Sequence, residues 1–117
     1  MSDAKQYTGR CHCGKVRFQV TTDLAQTMDC NCSICSKRGW ILAFVAPAQF
    51  NLLSGEVTEY LFHKKKIQHL FCPVCGVASF GTGTGPDGKR MYSINVRCLD
   101  GVDLSTLSPT HFDGKSL

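Results

Sequence analysis

Phe71-Cys72-Pro73-Val74-Cys75-Gly76 is the stretch whose reading decides the fold of this chain. The proline presets a turn, and the glycine accepts the backbone geometry that lets amide groups point at sulfur. Two thiolates held in such a turn converge on one soft cation, because a tetrahedral zinc ion needs sulfurs about 2.3 Å from itself. Two ligands leave the site half built. The natural partner is Cys11-His12-Cys13-Gly14, a second pair that also lacks two ligands and also lies at the end of a strand. Cys11, Cys13, Cys72 and Cys75 are therefore expected to share one structural zinc, clamping the start of the chain to its second half.

Seven of the eight cysteines fall into tight clusters, the third being Cys30-Asn31-Cys32-Ser33-Ile34-Cys35. Two pairs make a closed four-sulfur site, whereas a triplet makes a site with a vacancy. Closed zinc sites are usually structural and open ones usually chemical. From spacing alone the fourth position stays undecided. Water or substrate fills it in the functional reading, while His12, His63, His69, His111 or Cys98 would close it, and one cysteine of the triplet could instead be idle. Two zinc ions per chain are expected.

The main rival is a secreted disulfide framework, which an even count of eight cysteines in 117 residues would ordinarily favour. C-x-C and C-x-x-C are the spacings that metals use, and framework cysteines are spread more evenly. Met1-Ser2-Asp3-Ala4-Lys5-Gln6 also lacks the layout of an export signal, and no stretch approaches the roughly 20 apolar residues of a membrane span. A cytoplasmic protein is expected, with iron–sulfur ligation and redox thiols as the remaining rivals. The formal charge of +4 counts no cysteine as ionised. Four thiolates with one Zn²⁺ carry −2 and three carry −1, so the loaded protein would stand near +1, by a rough count that weakens any argument for nucleic acid.

Residues 1–117 read as a single domain, with 43% hydrophobic residues and a core of modest size. Lys15 to Val20 alternates, with Val16, Phe18 and Val20 on one face, the period of a half-buried strand. Trp40 to Val45 is a continuous apolar run ended by Pro47, which predicts a buried strand. Val57 to Phe62 and Ile67 to Phe71 predict two strands joined by the basic turn Lys64-Lys65-Lys66. Val77 to Phe80 predicts a short strand, Gly81 to Gly88 a loop, Arg90 to Arg97 a further strand, and Leu104 to Leu107 one helical turn. The expected class is mostly β, with roughly six to eight short strands whose ends are joined by zinc-binding turns.

Lys37 and Arg38 follow the triplet, and Lys64 to Lys66 form a second basic patch. Such runs are commonly solvated turns, yet beside an open metal they can hold the carboxylates of a small acidic substrate. Gly81 to Gly85 lacks the following helix that a phosphate loop needs. Cys98 reads as a small buried apolar group, His69 as surface or supporting, and His111 as able to reach the open site.

Taken together, Gly9-x-Cys11-His12-Cys13-Gly14, Cys30-x-Cys32-Ser33-x-Cys35-x-Lys37 and Phe71-Cys72-Pro73-x-Cys75-Gly76, with Leu99-Asp100 and Pro109-x-His111, resemble the family of glutathione-dependent formaldehyde-activating enzymes and centromere protein V. The resemblance covers most of the chain. It implies a twisted, mainly antiparallel β fold with two zinc ions, Cys11, Cys13, Cys72 and Cys75 being structural ligands and Cys30, Cys32 and Cys35 ligands of a catalytic zinc. It also implies condensation of glutathione with formaldehyde to S-hydroxymethylglutathione, a carbon–sulfur lyase activity, with a small thiol as partner. The alternative expectation is a zinc-stabilised module that binds a protein or nucleic acid without catalysis.

Overall fold

The computed structural model describes residues 4–60, 68–84 and 87–113. The basic turn Lys64 to Lys66, together with His63, lies outside these residues. Among the described residues, ten strands form two sheets. In chain order, β1 (Lys5–Arg10), β2 (Arg17–Thr22) and β5 (Phe50–Ser54) form a three-stranded antiparallel sheet with β2 in the middle. The second sheet has seven strands. It contains β3 (Met28–Cys30), β4 (Leu42–Val45), β6 (Thr58–Tyr60), β7 (Gln68–Phe71), β8 (Phe80–Thr84), β9 (Arg90–Asn95) and β10 (Thr110–Phe112), in the order β10-β3-β4-β9-β8-β7-β6. All its pairings are antiparallel except β10 with β3. A mostly β, mainly antiparallel fold is thus what the sequence forms. The strand count exceeds the expected six to eight because β3 and β10 span three residues each, too few for a period to show.

The core lies between the sheets. Phe18 and Val20 of β2 are buried there, against Ala43 and Val45 of β4, Phe80 of β8 and Ile94 of β9. Phe50 joins the group from β5, its ring stacked on Tyr92 at 4.4 Å and near Phe80 at 4.7 Å. A smaller apolar cluster holds Cys35, Trp40 and Leu42, with Met28, Cys30, Cys32 and Ile34 packed around it. The continuous apolar run before Pro47 is explained by this position, since β4 is an interior strand.

Three expectations are corrected. Gly81 to Thr84 is strand, not loop: β8 pairs with β9 from Phe80 opposite Ile94 to Thr84 opposite Arg90. Gly81 is required by close approach, as a Cβ there would stand 2.9 Å from the Gln68 carbonyl oxygen and 3.0 Å from Ser93 Oγ. Val77 to Ser79 carries no strand, which begins only at Phe80. The Arg90 strand also stops early, at Asn95, whose side chain accepts from the Arg97 N–H and starts a 3-10 turn over Val96–Cys98. The helical turn expected near Leu104 is present as a 3-10 turn, Leu104–Thr106, capped by Asp103. β1 and β5 were not foreseen, because Lys5 to Arg10 is largely polar and Leu52-Leu53 breaks alternation.

Gly9 sits opposite Phe18, and a Cβ there would lie 2.4 Å from the ring. Gly9→Ala is expected to lower unfolding free energy by about 1–3 kcal/mol through overpacking. In denaturant titrations the cost should shrink in a Phe18→Leu background, since the smaller side chain clears the space. Equal costs in both backgrounds would show that the contact does not carry the effect.

Candidate metal centre

Two knuckles built alike meet at one corner of the molecule. The first leaves β1 and leads to β2; the second leaves β7 and leads to β8. In each, the N–H of the first cysteine donates to the carbonyl five residues on, Cys11 to Val16 at 3.1 Å and Cys72 to Val77 at 3.0 Å. A glycine in the left-handed region then closes the turn on the same cysteine's carbonyl, Gly14 (φ 82) at 3.3 Å and Gly76 (φ 80) at 2.9 Å. Backbone donors reach the sulfurs: Val16 N–H lies 3.4 Å from Cys11 Sγ and Val74 N–H 3.4 Å from Cys72 Sγ.

The four sulfurs of Cys11, Cys13, Cys72 and Cys75 all lie within 4.8 Å of one another. Cys11 to Cys13 is 3.6 Å and Cys13 to Cys72 is 3.7 Å. Sulfurs at the corners of a tetrahedron of 2.3 Å radius stand about 3.8 Å apart, so the spacing suits zinc. It is far too long for a disulfide, and all eight cysteines are free. Without a cation Cys75 and Cys13 are shifted in opposite directions. Backbone N–H groups at Cys13 and Val77 bring Cys75 down to about 6. Cys13 is helped by the Lys15 N–H, but desolvation and its neighbouring sulfurs push it up to about 11. One divalent cation removes that conflict by favouring every thiolate at once.

The triplet is assembled locally. Cys30 ends β3, Cys32 lies in the following turn, and Cys35 opens the short helix α1 (Cys35–Arg38). Their sulfurs again lie within 4.8 Å of one another. The Cys32 N–H is 3.5 Å from Cys30 Sγ, and the Cys35 N–H is 3.4 Å from Cys32 Sγ. Trp40 adds a donor that was read in the sequence only as strand core: its indole N–H lies 3.5 Å from Cys35 Sγ. Its place just past the Gly39 helix stop is the signal that could have found it. Burial pushes the Cys35 thiol up to about 12.

No further His, Cys, Asp or Glu among the described residues joins either group of sulfurs. His111 is excluded by strand geometry. It stands opposite Asp29 in the parallel β10–β3 pair and bonds that carboxylate through Nδ1, whereas Phe112 stands opposite Cys30. Successive side chains point to opposite faces, which turns His111 away from the Cys30 sulfur. Cys98 is half-buried, with its thiol 3.8 Å from the Ala78 carbonyl oxygen, and desolvation raises its pKa. His12 is exposed. His69 is buried rather than on the surface, and desolvation, followed by the charge of Arg38, lowers its pKa. Lys37 is exposed, while Arg38 is half-buried with its guanidinium carbon 5.5 Å from the Trp40 ring centroid.

No helix among the described residues is long and apolar enough to cross a membrane. A crystal structure of a Rhodobacter sphaeroides protein has a similar fold, with a TM-score of 0.78 and 30% identity over 89% of this chain and 97% of that one. Residues 6–112 match the family described as glutathione-dependent formaldehyde-activating enzyme. With its knuckles and its cysteine triplet carried on that matched span, the chain belongs to the glutathione-dependent formaldehyde-activating enzyme family.

Proposed function

We propose that this chain works as one zinc-dependent domain that makes or breaks the carbon–sulfur bond of a small thiol adduct such as S-hydroxymethylglutathione. The observation that carries this reading is a cluster of three sulfurs, within 4.8 Å of one another, that no fourth protein ligand among the described residues completes. The family's description, glutathione-dependent formaldehyde activation, supports the substrate class. Cys11, Cys13, Cys72 and Cys75 hold a structural zinc in this reading, and Cys30, Cys32 and Cys35 hold a second.

Zinc in the triplet would supply a Lewis acid that keeps an incoming thiol ionised near neutral pH. The chain's own part is to fix that place. Backbone N–H groups and the Trp40 indole hold the three sulfurs, and the apolar cluster around Cys35 limits water on one side. In the reaction the thiol sulfur bonds to the aldehyde carbon, the carbonyl pair moves to oxygen, and oxygen gains the proton that sulfur lost. No oxidant or reductant is needed. Lys37, Arg38 and the run Lys64 to Lys66 are the cations this reading assigns to substrate carboxylates. A cytosolic setting, where glutathione keeps thiols reduced, suits eight free cysteines.

Protein purified without chelator is expected to carry about two zinc ions per chain by elemental analysis, as seven clustered thiolates can bind. Iron, or metal-free protein with paired cysteines, would refute the ligand assignment. Cys72→Ser is expected to abolish soluble folded protein, because structural zinc is part of the folding free energy of so small a core. A Cys72→Ser protein that melts like the wild type would show that the four sulfurs do not act together.

Cys32→Ser is expected to lose one zinc and the thiol-adduct reaction while retaining the wild-type circular dichroism spectrum, since the clamp between the sheets lies elsewhere. In cobalt-substituted wild type, added glutathione should alter the absorption of the second site. A spectrum of four fixed ligands, indifferent to every thiol offered, would remove the enzyme reading and favour a binding module.

A further inference from the structure

Arg38 is a partly buried cation whose company is unusual. Its Nη1 is buried and has no hydrogen-bond partner, although buried donors are nearly always paired. No carboxylate among the described residues forms an ion pair with it. Desolvation lowers its pKa, and the Cys35 sulfur offsets this only in part. A buried donor left without an acceptor is costly even where the Cys35 sulfur supplies charge nearby, so what Nη1 lacks is a hydrogen-bonding acceptor.

The guanidinium is also held at a set place relative to the triplet. Trp40 is the link, since one indole donates to Cys35 Sγ at 3.5 Å and carries the Arg38 guanidinium carbon 5.5 Å from its ring centroid. Arg38 lies three residues after Cys35 on α1, a spacing that puts both on one side of a helical turn. Lys37, the neighbouring cation, is exposed and has no such support. His69 is buried close enough to feel the Arg38 charge, and an imidazole, neutral or cationic, supplies no counter-charge to it.

We propose that Arg38 is the positioning residue for the substrate's carboxylate, so that the thiols accepted at Cys30, Cys32 and Cys35 are those bearing an acid group. The inference rests on the triplet being the thiol site. A guanidinium fork presents parallel donors that match a carboxylate, and the Trp40 ring keeps the fork from turning away. The acceptor that Nη1 lacks is then supplied by the ligand's carboxylate.

The test uses 3-mercaptopropionate and its neutral analogue 3-mercaptopropionamide with the metal-loaded protein. Trp40 is the sole tryptophan, so its fluorescence in the zinc form reports ligand at Arg38, and cobalt absorption reports thiol at the triplet. Wild type is expected to bind the carboxylate at least about tenfold more tightly than the amide, the scale of one charge-assisted contact. Arg38→Gln should erase that preference while changing amide affinity less than about twofold, and Arg38→Lys should recover part of it.

Equal affinities in wild type, with the cobalt spectrum moving for both compounds, would overturn the role of Arg38 and leave the thiol site standing. No spectral response to either compound would overturn both. An Arg38→Gln protein that weakens both thiols alike, or loses its second metal, would show that Arg38 serves only as counter-charge to the sulfurs. If Arg38→Gln does not fold, the wild-type preference and its reduction in Arg38→Lys decide the question.

Discussion

The convergence of four sulfurs at one corner is the constraint on which the rest of the molecule depends. Cys11 and Cys13 lie in the turn that joins β1 and β2 of the three-stranded sheet, and Cys72 and Cys75 in the segment between β7 and β8 of the seven-stranded one, so their meeting ties the two sheets together. The sulfurs of Cys11 and Cys72 are part of the main apolar core, beside Val16, Phe18 and Ile94. Packing and ligation therefore share atoms. A domain of 117 residues buries a core of limited size, and a cation bound by these four sulfurs would add a link across the sheets that side-chain burial alone supplies sparingly.

The second cluster has different support. Its sulfurs sit in a small apolar group around Trp40 and Leu42, separate from the main core, and its three residues come from one short stretch of chain. A change there leaves the junction between the sheets in place. In the function proposed above, structure and chemistry are thereby divided between two clusters of the same ligand type. The division follows from which backbone carries each set and does not depend on the sulfurs differing in kind.

The cysteine clusters were legible in the sequence because their geometry is local: two or three residues and a glycine specify a turn, and a turn specifies where sulfur points. The pairing of β6 with β7 was legible for a similar reason, from two short apolar runs separated by a basic one. What escaped depends on distant partners. Gly81 looks like a loop residue until Gln68 and Ser93 are seen crowding it in the strand. Val96 looks like strand until Asn95 captures the Arg97 N–H. The indole N–H of Trp40 is invisible in a run read only as apolar, and the isolation of Arg38 becomes evident only when its surroundings are known.

The two clusters also differ in the length of chain that each must close. Cys30, Cys32 and Cys35 form a loop so short that bringing its ends together costs little, and an unfinished or unfolded chain already contains all of it. Cys13 and Cys72 stand 59 positions apart, and their sulfurs meet only after the strands between them have taken their places. The triplet is thus complete as a ligand set early in the life of the chain, while the four-sulfur set exists only as a product of folding. The same thiol chemistry records local sequence in one cluster and the finished topology in the other.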